Sequence, residues 1–237
     1  MNKPHQLQRG FTLVEIAIVL VIVGLLLGGV LKGQELITSA KVRNLADQIT
    51  SIGAAYHGFL DRYRQVPGDW PATPAAQAIP GVASGGNGNG RLDAVGGSEW
   101  TEPLAVWEQL ARSGFLQGNY VGGNTAPLAT QTDRAPRNTF NGFMLMTRSD
   151  DYLDAGTPSE RQLLVLGRGV PVNVMRELDL KLDDGLPQTG ALRQPVSSGA
   201  ALGELAQSAA ECVDSSVTPP VWNIAGNAQD CNGVMLY

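Results

Sequence analysis

Cysteine is scarce in this sequence. There are two in 237 residues, so at most one disulfide can form and a cysteine-framed scaffold is excluded. Histidine is equally rare, with only His5 and His57. No H-E-x-x-H, G-x-S-x-G or Gly-x-x-x-x-Gly-Lys-[Ser/Thr] sequence occurs, so zinc-protease, serine-hydrolase and P-loop chemistries lack their residues. Basic charge is also short: 17 Lys and Arg stand against 22 Asp and Glu, a net charge of −5 that offers no cationic face for nucleic acid. Against these shortages stand 29 Gly and 14 Pro, with only 16% of residues charged. The length suffices to bury one core, and the composition predicts a loop-rich, modestly polar body around it.

One segment breaks this pattern. Phe11 to Leu31 reads FTLVEIAIVLVIVGLLLGGVL, in which Glu15 is the only charge and Thr12 the only other polar side chain. As a helix rising about 1.5 Å per residue it would be about 31 Å long, the thickness of a bilayer's hydrocarbon. Secretory signals carry apolar runs of about 7 to 15 residues and end at a small-residue cleavage site. This run is longer, and no A-x-A-like site follows Leu31. A retained span is the expectation, with Lys3 and Arg9 keeping the N-terminus cytoplasmic. Glu15 is then costly, by on the order of 3 kcal/mol and less near the end of the span. It either snorkels to the headgroups or has a use.

Gly10-Phe11-Thr12-Leu13-Val14-Glu15, preceded by a short basic leader and followed by the apolar run, resembles the processing site of type IV prepilins and type II secretion pseudopilins. The ten-residue leader and Phe start resemble the short-leader class, and pseudopilins, more than the long-leader pilins. The resemblance implies that prepilin peptidase, a membrane-embedded aspartic peptidase, cuts between Gly10 and Phe11 on the cytoplasmic side and methylates the new Phe11 amine. It also implies that the mature chain joins other pilins or pseudopilins in a helical fibre through an inner-membrane assembly platform. Physical chemistry gives Glu15 a role there. Its carboxylate can neutralise the cationic amine of a neighbouring subunit's Phe11, an attraction strengthened by the low dielectric, and so set the axial register.

Beyond the span, Val42, Leu45, Ile49, Ile52, Tyr56, Phe59 and Tyr63 recur at alternating spacings of three and four, one face of a helix. No Pro lies between Phe11 and Val66, so a single helix to about Tyr63 is expected, apolar all round in its first half and amphipathic in its second. That second face would pack on the chain's own globular part; His57 beside it reads as a bystander. Gly24, Gly28, Gly29 and Gly33 each cost about 1 kcal/mol of helix stability relative to Ala. They allow either close helix contact or local melting in a fibre. Pilins generally carry a helix-breaking Pro in this half, and here there is only Gly.

Val66-Pro67-Gly68-Asp69-Trp70-Pro71 ends the helix with dense turn chemistry, and a loop-like tract runs to Gly97. Thr101 reads as the N-cap of a short helix over 102–113 carrying Trp107 and Leu110, stopped at Gly114. Segments 140–147 and 162–166 read as strands, 171–184 as a helix, and 189–196 as a returning strand. The fold class expected is α+β and pilin-like: a long N-terminal helix packed on a loop-rich head with a small, mainly antiparallel sheet. The expected divisions are a leader at 1–10, a membrane and polymerisation half-helix at 11–31, an amphipathic half at 32–65, and a periplasmic or extracellular head at 66–237. VPGDW, GNGNG, the W-x-x-L helix, NGFMLM and LDLKLDDGLPQTG together resemble a subgroup of larger pilin-like proteins.

In an exported head, Cys212 and Cys231 would pair. The resulting loop resembles the C-terminal disulfide-bounded region of many type IV pilins. Asn87, Asn89 and Asp93, with Glu99 within reach, partly imitate a calcium loop of the D-x-[DN]-x-[DN]-G kind, but Gly85 and Gly96 stand where its terminal carboxylates belong. A flexible turn is the simpler reading. Asp179, Asp183 and Asp184 crowd a helix C-terminus, where the macrodipole disfavours carboxylates, so Lys181, Arg176, solvent or a cation must offset them. Asp150, Asp151 and Asp154 read as a solvated loop. Nothing points to catalysis, and no nucleic-acid partner is expected. The function expected is that of a structural subunit of a type IV pilus, a minor or large pilin in adhesion or motility. The alternatives are a pseudopilin of type II secretion, which shares the N-terminus, and a signal-anchored periplasmic enzyme or binding module, which would retain residues 1–10.

Overall fold

The structure is a computed structural model and describes residues 13–93, 100–196 and 210–237. Its first element, α1, is a single 51-residue helix, Leu13–Tyr63, as the Pro-free periodicity predicted. It closes where Arg64 donates its N–H to Leu60 O and turns to a φ of 55°, a left-handed C-terminal residue ahead of Pro67. The chain divides into two compact units, Met1–Ala40 and Lys41–Tyr237. The described part of the first unit is helix alone, and residues 13–32 are all exposed.

In the second unit α1 continues with one face inward. Val42, Leu45 and Phe59 are fully buried, and Ile49, Ile52 and Tyr56 nearly so. Burial of each such side chain contributes about 1.5–3 kcal/mol. Phe59 packs with Tyr63, Trp70 and Phe115, with ring centroids 4.7, 6.1 and 6.3 Å away. Tyr56 bonds to Gln162, and Gly53 leaves room for the Tyr237 ring. The helix thus closes the core rather than forming a coiled-coil seam.

The other elements are α2 (Ala72–Ala78), α3 (Thr101–Arg112), β1 (Leu145–Ser149), β2 (Arg161–Val165), α4 (Val172–Leu182), β3 (Leu192–Arg193), β4 (Val213–Asp214), β5 (Val221–Trp222) and β6 (Val234–Leu236). Four strands form an antiparallel sheet in the order β1-β2-β6-β3, with Leu145 opposite Val165, Leu163 opposite Leu236 and Leu192 opposite Met235. β4 and β5 make a separate antiparallel pair. The class is α+β.

Several boundaries differ from the sequence reading, each for a local reason. The strand expected at 140–147 begins only at Leu145, because Asn138 folds residues 140–142 into a turn. Its side-chain oxygen accepts from Phe140 and Gly142 N–H, its amide donates to the carbonyls of Leu166 and Gly167, and Asn141 takes a φ of 69°. The strand expected at 189–196 shrinks to Leu192–Arg193, since the N–H groups of Ala191 and Leu192 go to Asp183. α2 lies in the tract read as loop: Ala-rich sequence favours helix, and Pro74 sits in its first turn, where Pro is tolerated. Thr101 is the first helical residue of α3 and not its cap, which is Trp100.

Candidate functional site

The head's irregular segments are organised around the polar side chains of α3. Gln109, fully buried, accepts from Gly68 N–H at 2.8 Å and donates to the carbonyls of Trp70 and Ser84. Glu108 accepts from the N–H groups of Ala83 and Gly122. Glu102 accepts from those of Asn87 and Asp93, at 3.0 and 2.7 Å. Burial pushes the Glu102 carboxyl above its ordinary range, the two backbone N–H bonds work against that rise, and Asp93 and Asp69 add to it. Gly86 is required here, because a Cβ would overlap the Glu102 carboxylate, and one at Gly85 would overlap the backbone at Trp70.

The glycine-asparagine loop curls around Asp69. This buried carboxylate accepts from three successive backbone N–H groups: Gly88 and Asn89 on Oδ1, at 2.7 and 3.0 Å, and Gly90 on Oδ2, at 2.7 Å. Successive N–H groups of this kind make an anion-binding concavity, occupied here by the chain's own carboxylate. The weak calcium candidates Asn87, Asn89 and Asp93 come together in this loop. Both asparagine amides donate to Asp93, and both asparagine oxygens accept backbone N–H groups two residues on. Glu99 lies outside the described residues. Asp69, Glu102 and Gln109 were missed by sequence reasoning; the one signal for Asp69 was its place in a Pro-Gly-Asp turn.

Cys212 and Cys231 are joined in a disulfide, both fully buried. The segment they close folds back on α4, where the indole N–H of Trp222 donates to Asp179 Oδ2 at 2.7 Å. Carboxylate oxygens of Asp179, Asp183 and Asp184 lie within 4.8 Å of one another. Those of Asp183 and Asp184 serve the following turn, accepting from Ala191, Leu192 and Leu186 N–H and from the Thr189 hydroxyl. Asp179 is fully buried. Burial pushes its carboxyl up to about 7; the Trp222 and Gly185 N–H groups oppose the rise, and the Asp184 and Asp183 charges reinforce it. In the 150–154 loop, Asp151 is buried and Asp154 pairs with Arg193 at 2.7 Å, so only part of that loop is solvated. His57 is exposed, its ring set edge-on to Tyr56 and Tyr237.

The remaining candidate surface is the first part of α1. It is long and apolar enough to cross a membrane, and none of its apolar stretch is buried among the described residues. A core helix of the same composition would be covered by the rest of the chain, whereas here Leu13, Leu20, Leu25 and Leu31 are 91, 67, 74 and 66% exposed. Apolar surface this extensive marks a membrane or protein contact. Glu15 lies in the first turn, where the positive end of the macrodipole favours a carboxylate. Among the described residues, a Cβ added at Gly24, Gly28, Gly29 or Gly33 would meet nothing within 4 Å, so none of their contacts accounts for these glycines. Gly10 and Phe11 lie outside the described residues.

Residues 6–31 match the family described as "Prokaryotic N-terminal methylation motif". This is the signature of type IV pilins and pseudopilins, and the chain carries it at the place where the sequence resembles their processing site. The signature implies processing by prepilin peptidase and assembly with other pilins, and it fits a membrane-anchored N-terminal helix and a structural role. No curated protein and no solved structure matches the chain.

Proposed function

We propose that this chain is a structural subunit of a type IV pilus, of the minor or large pilin kind. It is inserted in the inner membrane through residues 11–31 with its head, 66–237, in the periplasm. It is cut between Gly10 and Phe11, methylated on Phe11, and drawn by the assembly platform into a fibre at the cell surface. The observation that supports this most directly is the pairing of the methylation motif with an apolar helix half that the described residues leave exposed. In a fibre, that surface passes from lipid to the same surface of other subunits, and the four glycines let backbones approach closely. Glu15 meets the methylated amine of a neighbour and fixes the register.

N-terminal mass analysis of the membrane-extracted protein tests the processing step: the expected N-terminus is N-methylphenylalanine at Phe11. An intact residue 1–10 segment would identify a signal-anchored protein instead. Glu15→Ala is expected to leave cleavage intact and to abolish incorporation into fibres. Incorporation at the wild-type level would remove the register role.

A pseudopilin of type II secretion shares the same motif and helix. The disulfide-closed C-terminal segment and the size of the head favour the pilin reading. Shear-released surface fibres containing the chain are the expected result; a chain confined to the periplasm whose loss blocks protein secretion would favour the pseudopilin.

A further inference from the structure

Asp179 stands apart from the other acidic residues of the head. It is fully buried, and no ion pair among the described residues includes it. Among the described residues, the elements packed on α4 at this point bring no positive charge: β5 contributes Val221 and Trp222, and the 3-10 helix Ile224–Gly226 has no titratable side chain. The turn after α4 brings two further carboxylates, Asp183 and Asp184. On α4 itself Arg176, Glu177 and Lys181 are exposed, and Asp214 on β4 is tied to Ser216. Across the interface the Trp222 indole N–H donates to Asp179 at 2.7 Å. Trp222 belongs to a segment anchored at both ends by the Cys212–Cys231 disulfide, so it can move off α4 without leaving the molecule.

We propose that Asp179 and Trp222 form a proton-operated latch: the disulfide-closed segment 212–231 is held on α4 while the Asp179 carboxyl is neutral and is loosened when it ionises. A neutral carboxyl accepts the indole N–H and tolerates burial. An ionised one binds the indole more strongly, but it must be stripped of water beside two like charges, and that penalty is the larger. The penalty is relieved by admitting water, and the cover to be lifted is the strand that carries Trp222. The latch stands on the geometry of the head and is independent of which fibre the chain enters.

The test uses the full-length protein in detergent micelles. The fluorescence of Trp222, taken as the difference between wild type and Trp222→Phe, is expected to shift to longer wavelength as pH rises, with a midpoint near 7. Asp179→Asn keeps an acceptor for the indole and removes the charge, so its Trp222 emission is expected to stay unshifted across the same range. A flat wild-type signal, or an equal shift in Asp179→Asn, overturns the latch. Should either variant fail to fold, hydrogen exchange in the wild type decides. Protection of the amides of 212–226, corrected for intrinsic rate, is expected to fall by up to about tenfold per pH unit as pH rises towards 7 and to level off above it, while that of α3 holds. Equal loss in both places overturns it.

Discussion

The hydroxyl of Tyr56 on α1 donates a 2.8 Å hydrogen bond to the side-chain oxygen of Gln162 on β2, two residues 106 positions apart in the chain. This bond crosses the interface that holds the amphipathic half of α1 to the sheet, one turn from the fully buried Phe59. Tyr56→Phe removes the bond and keeps the packing, so a loss of about 1 kcal/mol is expected in denaturant titrations. Phe59→Ala opens a cavity among Tyr63, Trp70 and Phe115, and a loss of about 3–5 kcal/mol is expected by the same measurement.

Asp69→Ala would leave the N–H of Gly90 without its acceptor and take the charged acceptor from Gly88 and Asn89, which keep only the backbone carbonyl of residue 69 and Asn87 Oδ1. With one donor left unpaired and two bonds weakened, the expected cost is about 1–3 kcal/mol. The effect should be local before it is global: limited proteolysis is expected to cut the 85–93 segment in the variant under conditions that leave wild type intact. Stability and cleavage pattern both unchanged would show that the loop holds without its central carboxylate.

The Cys212–Cys231 link closes a segment with a sequence separation of 19. Loop-closure entropy gives it about 3 kcal/mol. Replacing both cysteines by serine is expected to lower the thermal midpoint by roughly 6–12 °C, taking 2–4 °C per kcal/mol for a protein of this size. Reduction of the wild type should reproduce the shift, and the variant should be insensitive to reductant.

The pH dependence of stability has a definite sign. Asp179 holds its proton up to about 7 when folded, against an ordinary value of 3.8. Between those values the folded state keeps a proton that the unfolded chain has lost. The contribution is complete below the lower value and is lost as pH rises through the higher one, on the order of 4 kcal/mol across the window. Glu102, also raised, adds in the same direction. Asp179→Asn should therefore raise the melting temperature at about pH 8 more than at about pH 5. An equal effect at both pH values would contradict the assignment.

The elements fixed by long-period apolar patterning were legible in the sequence. α1 follows from an uninterrupted three-four spacing, and Val42 through Phe59 are buried where that spacing placed them. α3 and α4 follow from shorter stretches of the same kind. The strands were harder to read, because side-chain acceptors replace the ladder: Asn138 shortens β1 and Asp183 shortens β3. β6 is three residues long and pairs with β2 across some seventy residues of chain, a relation no local window contains. At the candidate sites, the two cysteines were readable because they had no other partner. Asp69 was not, since its role depends on backbone N–H groups brought to it from about twenty positions away.

α3 has an unusual mutational consequence. Substitutions at the polar positions of a short helix are ordinarily forgiven, and its apolar stripe is where damage concentrates. Here Glu102, Glu108 and Gln109 hold the neighbouring main chain in place. A saturation scan should find the polar stripe as intolerant as the greasy one, with even Glu-to-Gln exchanges at 102 felt at Asp93 and Asn87, 9 and 15 residues upstream, as frayed loops rather than as holes.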